Sequence, residues 1–222
     1  LTEKFNFRYA NEKDFYSFLG MLVCNVTVIL KMNSKRRYFR LGVLLLIVLS
    51  TILYFKPDLL LSGQMLYKIG ANRLTAGDHG DYHDNDKVES AIYYFEKAIK
   101  KGFVKREVFD KLSYCYLISN DNHNAEKILT IGLRHYPNDA EFCFDRGNCR
   151  KDLKKFNGAF LDYDKVIAVD KNFKYLNEAI YYRGAMRYIL GDTIKANIDR
   201  QEARKITDHA LRTYADYCQL WK

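Results

Sequence analysis

Two abutting segments decide how this chain is read: Arg106–Asp139, REVFDKLSYCYLISNDNHNAEKILTIGLRHYPND, and Ala140–Phe173, AEFCFDRGNCRKDLKKFNGAFLDYDKVIAVDKNF. Each is 34 residues long. Laid one over the other, they put Ala125 on Ala159, Leu129 on Tyr163, Cys115 on Cys149 and Ser113 on Gly147. Small residues fall on small ones, and a large apolar residue falls on an aromatic. A period of about 34 residues with this pattern marks antiparallel helix pairs stacked as a solenoid. One pair alone cannot bury its apolar face, so the pattern also predicts neighbours on both sides.

The neighbours are present in looser form. Residues 177–207 supply Ile180, Gly184, Arg187, Ala196, Arg200 and Ala203. Residues 64–101 supply Leu66, Ile69, Gly70, Ala91, Phe95 and Ala98 if an insertion is allowed. Gly70, Gly147 and Gly184 permit close approach of the paired helix, and so do Ala91, Ala125, Ala159 and Ala196 on the other side. Residues 208–222 place Leu211, Tyr214, Cys218 and Trp221 on one helical stripe and read as a capping helix.

These blocks resemble the tetratricopeptide repeat (TPR), a helix–turn–helix unit. Its pattern wants a large residue, Leu-Gly and Tyr on the first helix, then Ala, an aromatic and Ala on the second. Phe109, Leu112, Ser113, Tyr116, Ala125, Leu129, Gly132 and Pro137 carry it in residues 106–139; Cys143, Gly147, Ala159, Tyr163 and Val166 carry it in residues 140–173. Arg146, Arg150 and Lys171 depart from it. The resemblance covers about two thirds of the chain. It implies an all-α, TPR-like right-handed solenoid of about four helix pairs (64–101, 106–139, 140–173, 177–207) with a cap.

The resemblance also implies a working surface, the concave face lined by first helices. Mapped residue by residue, that face holds Gln64, Tyr67 and Ala71, then Glu107, Asp110, Tyr114 and Leu117. It continues with Glu141, Phe144, Asn148 and Lys151, and with Glu178, Tyr181, Ala185 and Tyr188. The lining is aromatic with an acidic rim, suited to a ligand with apolar anchors and Lys or Arg. Family members that clamp a terminal carboxylate use basic residues and Asn there. Asp110 and Tyr114 stand at those places here and only Asn148 keeps the type, which disfavours a clamp. For each aromatic the competing role is helix–helix packing. For each Glu it is a favourable place in a helix's first turn.

The amino-terminal region reads differently. Leu41–Phe55 is a 15-residue run without charge, preceded by Lys31, Lys35, Arg36, Arg37 and Arg40 and closed by Lys56-Pro57. With Tyr38, Phe39 and a snorkelling Arg40, a helix here reaches about 27 Å, which predicts one transmembrane helix over 41–56. Aromatic pairs sit at both ends, and no A-x-A cleavage site follows. The basic flank 32–40 predicts a cytoplasmic amino terminus, with a linker at 57–63 and the repeats extracytoplasmic, periplasmic in a bacterium. Residues 1–31 read as an upstream extension before Met32, or as a weak first membrane segment.

Composition narrows function. The net charge of +9 is uneven: residues 1–61 hold nine Lys/Arg and four Asp/Glu, the remainder 27 and 23. No concentrated basic run follows Arg40, which argues against nucleic acid. Cys24, Cys115, Cys143, Cys149 and Cys218 form no C-x-x-C pair, and the middle three fall where the repeat wants small packed residues. The loop Asp78–Asp86 carries His79 and His83 among four Asp, but at neither calcium-loop nor zinc-helix spacing, so it reads as a solvated turn. No phosphate loop, nucleophile elbow or metalloprotease motif occurs. The expectation is a membrane-anchored, non-enzymatic adaptor, without cofactor or small-molecule substrate, that binds a protein or peptide. The alternatives are a structural subunit buried in an envelope or secretion complex, and a regulator or chaperone of exported proteins.

Overall fold

The computed structural model describes residues 34–55, 61–75, 85–206 and 212–221. The chain divides into two bodies, Leu1–Ser62 and Gly63–Lys222. Most of the loop Asp78–Asp86, the segment 1–31, and parts of the linker and cap lie outside the described residues.

In the first body, α1 runs Ser34–Phe55. Ser50 Oγ donates to the Ile47 carbonyl at 2.8 Å, the back-bond that satisfies a hydroxyl within an apolar helix. Val43, Leu45, Leu46, Ile47 and Leu49 are exposed. The expected transmembrane helix does not emerge from this body as a structural finding. Among the described residues, no helix is long and apolar enough to cross a membrane. The physical reason is reach. The first turns of α1 carry Lys35, Arg36, Arg37 and Arg40, and the uncharged stretch beyond them covers about 22 Å against a hydrocarbon core of about 30 Å.

The second body is all-helical among the described residues. Its elements are α2 (Gly63–Thr75), α3 (Asn85–Lys100), α4 (Arg106–Ile118), α5 (Asn122–His135), α6 (Ala140–Asp152), α7 (Phe156–Val169), α8 (Leu176–Ile189) and α9 (Thr193–Ile206). A short α10 (Tyr214–Tyr217) continues into a 3-10 turn, Cys218–Trp221. The helices pair as α2/α3, α4/α5, α6/α7 and α8/α9, and each later first helix also packs on the preceding second helix. This is the stacking that the 34-residue period predicts.

The repeat extends to single hydrogen bonds. Where a first helix ends, Asp121 N–H donates to the Tyr116 carbonyl, Lys155 N–H to Arg150 and Asp192 N–H to Arg187, at 2.8, 2.7 and 2.9 Å. The residue before each donor is left-handed: Asn120 at φ 57°, Lys154 at 58° and Gly191 at 94°. This is the Schellman closure of a helix. Asp121 then caps α5, accepting from Asn124 N–H at 3.0 Å, and Asp139 caps α6 by accepting from Phe142 N–H at 3.0 Å.

The core lies between the helices of each pair and at the joints between pairs. Phe95, Phe109, Phe142 and Tyr163 are fully shielded from solvent. Complete burial of such a side chain contributes about 1.5–3 kcal/mol. At Gly147 a Cβ would sit 2.8 Å from the Tyr163 ring, and at Gly184 it would meet Asp199 and the Tyr214 hydroxyl. Close approach therefore sets these two positions. The four described cysteines are free and buried. Burial pushes the thiols of Cys115, Cys143 and Cys149 up to about 12, 11 and 12, so they pack as small apolar residues.

Candidate functional site

The first helices α2, α4, α6 and α8 form one wall of the stack, and the structure divides the residues expected there into open and closed sets. Gln64 and Glu107 are exposed, and Tyr114 keeps 42% of its surface. Asp110, Leu117, Asn148, Lys151 and Ala71 are half-buried. Tyr67 is half-buried, stacked on Phe103 with centroids 4.9 Å apart and leaning on Phe95 at 5.7 Å. Phe144 is buried among Tyr163, Phe173, Tyr175 and Tyr182, at 5.4 to 6.3 Å.

The carboxyl-terminal turn closes the last stretch. Tyr181 is only 6% exposed. It packs on Tyr214 and Tyr217 at 5.1 and 5.2 Å and donates its hydroxyl to the Arg212 carbonyl at 3.2 Å. Tyr188 lies 6.1 Å from Tyr214, and Ala185 is fully buried. The four-helix lining therefore narrows to an open section over α2, α4 and α6.

Polar groups on this wall fall into two kinds. Glu141 is ion-paired to Arg106 at 2.8 Å and to Lys174 at 2.7 Å, and Lys174 and Arg106 hold its carboxyl below the usual range. Arg106 also pairs with Asp139 at 2.5 Å. Asn148 accepts from the Tyr163 hydroxyl at 2.8 Å, and the Lys151 ammonium lies 4.7 Å from the Tyr182 ring centre. Among the described residues, the side chains of Asp110 and Asp145 have neither a hydrogen-bond nor an ion-pair partner. Burial pushes Asp110 up despite Arg106. Burial, with help from Glu141 and Asp110, pushes Asp145 up to about 7. The field of Glu107 and Asp110 reaches Tyr67 on α2, where it adds to burial in raising the phenol. Arg106 on α4 bridges to Glu141 on α6 at 2.8 Å, and Asp110 and Asp145 each follow one helical turn later, so carboxylates of α4 and α6 share this stretch of the wall.

Sequence reasoning missed Asp145 and Tyr182. Asp145 stands one helical turn after Glu141 and three residues before Asn148, a spacing that could have found it.

It also missed what the departures Arg146 and Arg150 do. Between α6 and α7, Asp162 (2% exposed) accepts from Arg146 at 2.5 and 3.0 Å and from Arg150 at 2.9 Å. Between α8 and α9, Asp199 (1% exposed) accepts from Arg183 at 2.7 and 3.2 Å and from Arg187 at 2.7 and 2.8 Å. The equivalent trio in the preceding pair is Leu112, Tyr116 and Ile128. The pairs α6/α7 and α8/α9 thus carry an Arg–Asp–Arg pin where α4/α5 carries Leu112, Tyr116 and Ile128, with the Tyr116 hydroxyl donating to Glu96 at 2.8 Å. Among the described residues, no group of three or more His, Cys, Asp or Glu could hold a metal ion.

No protein-family profile and no curated protein sequence matches the chain. Solved structures do match. The chain is similar to YrrB, described as a TPR protein with an unusual peptide-binding site, with a TM-score of 0.57 at 17% identity over 96% of this chain and 90% of that one. It is similar to MamA, with a TM-score of 0.55 at 14% identity over 78% and 87%. It is also similar to PilF of Pseudomonas aeruginosa, with a TM-score of 0.52 at 13% identity over 77% and 70%. The described residues of the second body have the tetratricopeptide fold, as the two abutting blocks implied.

Proposed function

We propose that this chain is a protein-interaction scaffold that holds a polypeptide against the wall of first helices. The observation that carries the reading is the unfilled chemistry of that wall. An exposed aromatic, Tyr114, lies on the same helix as Asp110, and burial outweighs the nearby cations at the half-buried carboxyls of Asp110 and Asp145. A self-contained domain has no need to strand such groups, whereas a binding face uses them. YrrB, with a similar fold, has a peptide-binding site by its own description, which supports the same use here. The scaffold works by presenting side chains, and the reading assigns it no chemical step.

The finer part of the reading puts the scaffold at a membrane through Leu41–Phe55. Its support is the uncharged run itself, the exposed Leu45 and Leu46, and the basic flank before it. Because the run is short, Tyr38, Phe39 and Arg40 complete its reach by lying in the interface. In that arrangement the repeats are extracytoplasmic. Alkaline extraction of membranes from cells making the full chain checks this: the protein stays with the lipid, and its release into the supernatant refutes the anchor.

A second reading, a subunit packed permanently into a larger assembly, draws on Leu161, Ile194, Ile198 and Ile206, which are exposed on second helices. A photocrosslinking residue at Tyr114 or at Ile198 of the full chain separates the two. The scaffold reading expects capture of a polypeptide from Tyr114 and little from Ile198. Capture from Ile198 alone would replace it with the second reading.

A further inference from the structure

The wall is acidic in an otherwise mildly basic domain. On α4 and α6, Asp110 and Asp145 have no ion pair among the described residues. On α8, Glu178 Oε2 is buried without a hydrogen-bond partner. Elsewhere interior carboxylates are matched: Asp162 and Asp199 each hold two arginines, and Glu126 holds Arg150 and Lys155. Nearby cations are already engaged. Arg106 and Lys174 bind Glu141, and Lys151 lies over Tyr182. Lys111, the neighbour of Asp110, only partly offsets the burial that raises it. A desolvated carboxylate without a counter-charge is costly, and a cation that arrives with a ligand removes the cost.

We infer that the occupant of this wall is a basic polypeptide segment, with one of its Lys or Arg side chains seated between Asp110 and Asp145 and an aromatic or aliphatic neighbour against Tyr114. The inference rests on the scaffold reading and adds the partner's charge. The unpaired carboxylates supply the attraction, and the paired ones keep the helices in register around them. The geometry turns away a peptide ending in a free carboxylate, because like charges would then face each other across the groove.

The seat is also sensitive to pH. The groups facing Asp145 are Glu141 on its own helix, Asp110 on α4, Asp139 at the start of α6 and Lys174 from the following loop; Cys149 lies one turn on. Burial first, and then the three acidic groups among its four charged neighbours, push Asp145 up to about 7, so the empty site takes up a proton near neutrality. A bound cation expels that proton.

The test uses the full chain and two fluorescein-labelled peptides, one alternating Lys and Tyr, the other alternating Glu and Tyr, followed by anisotropy. The Lys peptide is expected to bind about tenfold or more tighter than the Glu peptide. Asp110→Asn and Asp145→Asn each weaken it several-fold with the fold intact by circular dichroism. Affinity falls between about pH 8 and about pH 6, and Asp145→Asn flattens that fall. Equal binding of the two peptides, binding of neither, or an unchanged affinity in the double Asn variant overturns the inference. The scaffold reading fails separately, through loss of capture at Tyr114.

Discussion

At the residue scale, the charge state of a few buried groups sets how stability responds to pH and to substitution. Asp145 is protonated more readily in the folded chain than in the unfolded one, since burial and the nearby carboxylates push it up to about 7. Between the ordinary carboxylate range and that value, the folded state holds the extra proton. This group therefore lowers stability as pH rises from about 4 to about 7, and its penalty is complete above that. Urea titrations of the parent and Asp145→Asn should converge toward pH 4 and separate toward pH 8, the variant being the more stable. The Arg–Asp–Arg pins matter through their buried ion pairs. Asp199→Ala leaves Arg183 and Arg187 without their buried counter-charge and should cost about 3–5 kcal/mol. Replacing Arg146, Arg150 and Asp162 together by Leu, Tyr and Ile, the trio of the preceding pair, should be neutral or stabilising in the same denaturation measurement. The sequence marked Arg146 and Arg150 only as departures from a pattern. Their meaning depends on Asp162, which lies on another helix and is not recognisable as a partner without the fold.

At the element scale, the helices and their turns were largely readable. Ala125, Ala159, Gly147 and Gly184 recur because close helix contact admits nothing larger, and such a constraint shows directly in residue type. The turn closures were less visible. Asn120, Lys154 and Gly191 occupy one left-handed position with three different residue types. Only glycine adopts it without strain, which otherwise costs about 1–2 kcal/mol. Gly191→Ala should lower the unfolding midpoint, and Lys154→Gly should hold it level or raise it, as thermal melts would show. The cap was legible as an amphipathic stripe. Its effect on Tyr181 was not, since docking α10 on α8 is a tertiary contact with no signature on α8 itself. The expected lining consequently ran one helix too far, and Phe144 shows the same limit. An aromatic on a first helix reads alike whether it faces solvent or, as here, four other rings.

At the scale of the whole second body, the described residues stack as helix pairs, and the first helices carry carboxylates and aromatics along one wall. The charge asymmetry gives it a solution signature: binding of a basic segment should weaken steeply with salt, because the attracting groups are partly exposed and screened. Hydrogen exchange of the full chain, alone and with the polypeptide captured through Tyr114, tests the central claim most directly. Protection should rise on α2, α4 and α6, with α3, α5 and α7 unchanged. Protection confined to the second helices would contradict it and assign the working surface to the opposite face.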